Sequence, residues 1–438
     1  MSGVTDFLLR IEVLTPGVLI TAFVIGGIVV ALLLARRVPG WPIRAVVAVV
    51  AGAAIGALVL WVVEKWLNLL GTPLMWSARW WVIAFFAAVG LAVANASHST
   101  WRRKVGALFG VVVLLLTTSL GINAAYGLDP TVGSVLGIST QPQIPLPPLT
   151  TAASLPAATP GASSALWQTW TAPAGMPAKG TVGSAVIPNT VSGFVARPAG
   201  IYLPPAALTA HPPRLPLVVL MMGQPGNPET QYIAATLDSY AAAHHGLAPI
   251  VIVADQLGRP TNDTLCLDTA KFGKVETYVN TDVVTWARTH LNILTDRASW
   301  TVAGYSHGGQ CAISFAAKHP DLWGNVLDIS GEEFPGAEHA AKTLSQIFGG
   351  KQSAYDAQKP IVVLAHHTYP DTTAIFTASV DDPVYVAAAK KVSAAAQAAG
   401  MRATYVELPS GGHTVDTLRG GLDKGFAALY PRLGLSPP

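Results

Sequence analysis

Four apolar stretches near the start of the chain, Leu14 to Ala35, Ala45 to Val63, Trp80 to Ala96 and Val105 to Ala125, constrain this sequence more than any other feature. Each approaches the roughly 20 residues an α-helix needs to cross a bilayer, and none carries a charge in its interior. Backbone N–H and C=O groups in hydrocarbon must be satisfied within the segment, so residues 1–127 are expected to form four membrane-spanning helices, the third being the shortest. Composition fits this: only 12% of the residues are charged, against roughly 25% in a soluble domain. The shortage is concentrated in the first third.

Orientation follows from the loops. Arg36, Arg37 and Arg44 separate the first two stretches, and Arg102, Arg103 and Lys104 the last two, whereas Glu64, Lys65 and Arg79 nearly balance in the middle. The positive-inside rule places both short basic loops in the cytoplasm, with the N-terminus and everything after Ala125 outside it. A cleavable signal peptide is the competing reading of the first stretch. Asp6 and Glu12 in its flank, and the three spans that follow, argue against it.

From Thr131 to Ala178 there is no charged residue, and the middle reads QPQIPLPPLTTAASLPAATPGASSA. Proline, alanine, serine and threonine without periodicity bury too little apolar surface to fold, so residues 128–165 are expected to be an extended tether. Beyond it, 18 Lys and Arg stand against 20 Asp and Glu; in the membrane portion with the tether, 9 stand against 4. The positive excess therefore belongs to the membrane portion, and no nucleic-acid partner is implied.

Residues 166–438 suffice for one hydrophobic core. LPLVVLMMG (from Leu215), APIVIVAD (from Ala248), SWTVAGYS (from Ser299), WGNVLDISG (from Trp323) and AIFTASVDD (from Ala374) are short apolar runs, as expected of strands covered on both faces. Helical patterns such as ETYVNTDVVTWARTHL and DPVYVAAAKKVSAAAQAAG alternate with them. The order predicts an α/β domain with a mostly parallel sheet and crossover helices.

Within it, WTVAGYSHGGQCAIS (Trp300 to Ser314) sets a Gly-x-Ser-x-Gly between a strand and a helix. That context marks a nucleophile elbow, a strained turn that exposes a serine Oγ, and Ser306 is the candidate nucleophile. A serine hydroxyl needs a base. Of the histidines downstream, His413 in LPSGGHTVDT stands in a glycine-rich loop near the C-terminus, where the last catalytic loop of this chain order belongs. His307 is the elbow's own x residue, and His319 ends a helix before proline. His366 and His367 are adjacent, point apart and have no third ligand at suitable spacing, so no metal site is expected. The acid should end the strand before the last helices. Asp382 is preferred, although an N-cap role is its alternative; Asp381 is less favoured and Asp371 a distant third.

WTVAGYSHGGQCAISFAAKHPDLWGNVLDISGEEFPG, preceded by RPAGIYLP and LPLVVLMMG, resembles the esterase family that includes formylglutathione hydrolases, feruloyl esterases and actinobacterial mycolyltransferases. The resemblance implies an α/β-hydrolase fold, no cofactor, and hydrolysis or transfer of an acyl group. It also implies an oxyanion hole from the backbone N–H groups of His307 and, after Met222-Gly223, Gln224. This chain lacks the family's polar residue before that glycine. Multi-span helices joined to such a domain are similar to actinobacterial membrane hydrolases that remove amino acids from aminoacyl-phosphatidylglycerol. The expected substrate is a lipid or cell-envelope ester beside the bilayer, with mycolyl-type transfer and a non-catalytic membrane scaffold as alternatives. Two long connections, from Gln256 to Val275 and from Glu332 to Pro360, are candidate substrate-binding segments. The two cysteines of the chain, Cys266 and Cys311, both fall in the domain placed outside, where a disulfide is permitted.

Overall fold

A computed structural model describes residues 3–69, 71–149 and 165–438. The chain divides into two compact units, Met1–Ile138 and Ser139–Pro438. In the first, four helices among the described residues are long and apolar enough to cross a membrane: α1 (Pro16–Leu34), α2 (Trp41–Trp61), α3 (Trp76–Ala96) and α4 (Trp101–Tyr126). α3 begins earlier than its apolar stretch because Arg79 is neutralised by Glu64, with Nε and Nη2 donating at 3.1 and 2.7 Å. A charge paired in this way no longer ends an apolar helix. α2 and α3 pack through small residues. A Cβ on Gly52 would meet the Phe86 carbonyl, and one on Gly90 the Ala48 carbonyl, the close backbone approach that glycine at four-residue spacing (Gly52, Gly56) permits.

The segment expected as a tether, residues 128–165, makes local and sheet-edge hydrogen bonds in two places. Thr131 caps a short helix, Val132–Val135, through the Ser134 N–H. Further on, Ser184 N donates to the Pro142 carbonyl at 2.8 Å and Ile144 N to the Ser184 carbonyl at 3.0 Å. An edge strand leaves donors and acceptors open, and Ile144 buries its side chain against Gly183 there. Residues 150–164 lie outside the described residues.

Among the described residues, the second unit is built on an eight-stranded sheet, β1 (Thr181–Ala185), β2 (Ala199–Leu203), β3 (Leu217–Met221), β4 (Ile250–Ala254), β5 (Trp300–Tyr305), β6 (Asn325–Ile329), β7 (Thr373–Ser379) and β8 (Arg402–Leu408). Their spatial order is β1-β2-β4-β3-β5-β6-β7-β8. β2 runs antiparallel to both its neighbours, and the strands from β4 to β8 are parallel. Every residue of β3, β4, β5 and β6 is buried, as the apolar runs required. Among the crossover helices, α5 (Gln231–Ala243), α6 (Val284–His290), α7 (His307–Lys318), α8 (Pro383–Ala398) and α9 (Val415–Arg432) cover the faces. α9 lies close to the sheet because Gly421 and Gly425 leave room for Ile329 and Leu327. This is the α/β-hydrolase fold. Its register pairs Met221 with Gly304, Tyr305 with Ile329, Ile329 with Thr377 and Ser379 with Leu408, so the loops after β3, β5, β6, β7 and β8 emerge along one edge.

Candidate active site

Ser306 sits at the turn from β5 into α7 with φ 56° and ψ −121°, a conformation that costs a non-glycine residue energy and recurs at functional sites. The flanking glycines make the turn possible. A Cβ on Gly304 would strike the Gly308 carbonyl, and one on Gly308 the Met221 and Met222 carbonyls. The corner is closed by Ser306 N, which donates to the Ile329 carbonyl at 2.9 Å.

His413 arrives on the loop between β8 and α9. Its Nε2 lies 2.8 Å from Ser306 Oγ and its Nδ1 2.8 Å from Asp382 Oδ2. The three side chains, far apart in sequence, thus form one line of two hydrogen bonds. Asp381 points elsewhere: it is exposed, and its Oδ2 accepts from Gly411 N at 3.2 Å. Asp371 precedes β7, at the opposite edge of the sheet from Ser306, and faces Arg402 at 3.9 Å. His319 is the C-cap of α7, its Nε2 3.0 Å from Glu276. His366 ends the helix Pro360–Ala365, and the His367 ring stands edge-on to Tyr369.

The backbone N–H groups of Gln224 and His307 donate to no acceptor among the described residues. Gly223 abuts the nucleophile closely enough that a Cβ there would lie 3.3 Å from Ser306 Cβ. The loop carrying Gln224 is held by Arg197, a residue to which the sequence assigned no role. Arg197 forms a bidentate pair with buried Asp255, at 3.1 and 2.7 Å, and donates to Asn227 at 2.6 Å and the Gly226 carbonyl at 3.0 Å. A planar fork of donors suits such a hub.

Cys266 and Cys311 form a disulfide with Cα atoms 5.5 Å apart. It ties the connection after β4 to α7, one turn beyond the elbow. Together with His307 these cysteines are the one cluster of three His, Cys, Asp or Glu side chains with metal-ligand spacing among the described residues, and both sulfurs are committed to the bridge. The connection from Glu332 to Pro360 holds a 3-10 turn, Ala337–His339, and two short helices, Ala340–Gln346 and Gln352–Asp356.

Two aromatic rings frame the histidine. Tyr385 of α8 stacks on His413 with centroids 4.1 Å apart, and Tyr305 stacks on it at 5.1 Å with a similar tilt. The Tyr385 hydroxyl donates to Glu338 Oε1 at 2.5 Å. Burial, with Glu338 and Glu332 nearby, pushes the Tyr385 phenol well above its ordinary range, so it remains a donor. Neither ring is legible in the sequence as a site residue; the one available signal is the place of Tyr385 in DDPVY, three residues beyond the candidate acid. Behind the elbow, Asp328 is fully enclosed, accepts from Gly331 N at 2.8 Å, and has its pKa raised by burial to about 7.

A serine in a strained strand-to-helix corner, on the parallel strands of this fold and within hydrogen-bond reach of a histidine, defines the class of serine hydrolases built on α/β sheets. The Esterase family profile matches residues 196–427, and the chain belongs to that family. It is 30% identical over 404 residues to an uncharacterized protein of Corynebacterium glutamicum, covering 88% of this chain and 90% of that one. Among solved structures, an S-formylglutathione hydrolase from Agrobacterium tumefaciens is 15% identical with a TM-score of 0.47, covering 59% of this chain and 97% of its own. A ferulic acid esterase is 17% identical with a TM-score of 0.45, covering 58% and 97%. The chain is an esterase-family hydrolase with four apolar helices ahead of its hydrolase fold.

Proposed function

We propose that this protein is a membrane-anchored serine esterase whose residues 166–438 work outside the cell membrane on an ester of a lipid or cell-envelope component, with aminoacyl-phosphatidylglycerol as the leading candidate. The observation that carries the chemistry is the unbroken line Asp382, His413, Ser306. In this reading His413 takes the proton of Ser306 as its Oγ attacks the ester carbonyl, and Asp382 fixes the imidazole tautomer and stabilises the imidazolium. The N–H groups of His307 and Gln224 hold the oxyanion; one such donor in a comparable site lowers the barrier by about 3 kcal/mol. The alcohol leaves with the proton from His413, and water then releases the acyl group from Ser306. The disulfide supports an oxidising, extracytoplasmic setting, and the basic loops beside α1, α2, α3 and α4 support the same orientation.

The test is labelling of the detergent-solubilised full chain with a fluorophosphonate probe. Wild type reacts at Ser306, whereas Ser306→Ala does not react and His413→Ala reacts at least about a hundredfold more slowly, in line with the usual contribution of a general base. A folded wild type that resists the probe refutes the esterase reading and leaves a scaffold. Product formation only after an acceptor alcohol is added marks a transferase instead.

A further inference from the structure

Glu332 is a buried acid that the mechanism above does not use. It follows β6, the neighbour of the nucleophile strand, and is 8% exposed. Its Oε2 accepts no hydrogen bond from the described residues, although the Ala337 N–H assists the carboxyl. Two further carboxyls stand within electrostatic reach of it, Glu338 and Asp263. Both adjoin the proposed machinery. Glu338 holds the hydroxyl of Tyr385, whose ring lies on His413; Asp263 Oδ1 is 3.4 Å from Nε2 of His307, a proposed oxyanion donor. Of the basic groups of this region, His307 and His339 act on Asp263, Lys391 pairs with the adjacent Glu333, and Lys359 lies over the Phe334 and Tyr355 rings and pairs with Asp356; among the described residues none of them bonds Glu332 Oε2.

Such an arrangement is costly around a neutral acyl group. A buried carboxyl with an open oxygen loses its hydration without return, and such groups call for an explanation. Burial first, then the Glu338 and Asp263 charges, push the Glu332 pKa well above its ordinary value and so favour its protonated form. A cation brought to Oε2 reverses that balance: the carboxyl releases its proton to solvent, ionises, and accepts a charge-assisted hydrogen bond.

We propose that Glu332, with Glu338 and Asp263 about it, receives a primary ammonium group that the substrate carries within a few bonds of its ester carbonyl. The assignment rests on the esterase reading, since the carbonyl position is defined by Ser306, His413 and the oxyanion donors. It makes Glu332 a specificity-determining residue, selecting α-aminoacyl esters over uncharged acyl esters of the same shape.

The experiment compares the 4-nitrophenyl esters of L-alanine and isobutyric acid, which differ by an ammonium in place of a methyl, using the full chain in detergent. Each kcat/KM is divided by the ester's spontaneous hydrolysis rate. Wild type prefers the alanyl ester by about tenfold or more, the worth of one hydrogen bond to a charged group, and the ratio in Glu332→Gln falls to near one. A wild-type ratio near or below one overturns the proposal, as does a Glu332→Gln variant that labels with fluorophosphonate yet keeps the wild-type ratio. Failure of wild type to cleave either ester strikes the esterase reading instead. Should Glu332→Gln not fold, the wild type alone decides: L-alaninamide inhibits isobutyryl ester cleavage at lower concentration than isobutyramide, and equal inhibition refutes the ammonium site.

Discussion

Asp382→Asn separates the two neighbouring carboxylates and tests the proposed triad at its weakest point. Asp382 Oδ2 is 2.8 Å from His413 Nδ1, and the two side chains are 13% and 23% exposed. When His413 becomes an imidazolium in the transition state, the Asp382 charge lies at roughly 4 Å from the centre of the new positive charge. Two unit charges at that separation interact by about 4 kcal/mol at an effective dielectric of 20. Partial exposure screens some of this, leaving about 2 to 4 kcal/mol, or a loss of about thirtyfold to a thousandfold in kcat. Asp381→Asn removes a charge that is exposed, and the new amide oxygen can still accept from Gly411 N. Its expected loss is below about threefold, as for surface charges in general. The assay is steady-state hydrolysis of 4-nitrophenyl butyrate by each full-length variant, with circular dichroism to establish that the fold is kept. A loss of less than about tenfold for Asp382→Asn, or an equal loss for Asp381→Asn, refutes the argument.

Two further outcomes are expected. Thr72→Cys, in the loop between α2 and α3, reacts with an impermeant maleimide on intact spheroplasts, whereas Ser99→Cys, between α3 and α4, reacts only after permeabilisation; the reverse pattern inverts the proposed topology. Asp328 binds a proton in the folded state up to a pKa of about 7, set by burial, while in the unfolded chain it returns to its ordinary 3.8. The native state therefore holds more protons between these values, so this group lowers stability progressively as pH rises from about 4 to about 7. Thermal unfolding of Asp328→Asn should show a flatter pH dependence than wild type over that window, with the variant gaining relative stability towards pH 8; parallel curves exclude the effect.

Much of the fold is legible in the order of residues. Four of the five apolar runs that read as strands contain one, trimmed at its ends, Leu217–Met221, Ile250–Ala254, Trp300–Tyr305 and Asn325–Ile329, and the fifth overlaps Thr373–Ser379, which starts one residue before it. The four membrane-length helices follow from apolar length alone. β1 and β2 escape such a reading because their glycine- and alanine-rich sequences, TVGSA and AGIYL, carry little apolar contrast. The hydrogen bonds of Pro142 and Ile144 to Ser184 escape a compositional reading because composition reports what a segment can bury by itself and is silent about an open strand edge supplied from elsewhere in the chain.

What the sequence determined by itself is chemistry confined to a few neighbouring residues. A helix in hydrocarbon satisfies its own backbone, and a serine elbow needs glycine at Gly304 and Gly308, whatever surrounds them. What only the tertiary structure decided is which side chains meet across the sheet edge. Asp381 and Asp382 are chemically identical, and the turn after β7 aims one at Gly411 and the other at His413, 31 residues away. The stacking of Tyr385 on His413, the Arg197 hub beneath Gln224 and the open oxygen of Glu332 arise in the same way. Each depends on strand register and helix packing, which fix positions to within an ångström, whereas residue type and order constrain only what those positions can do.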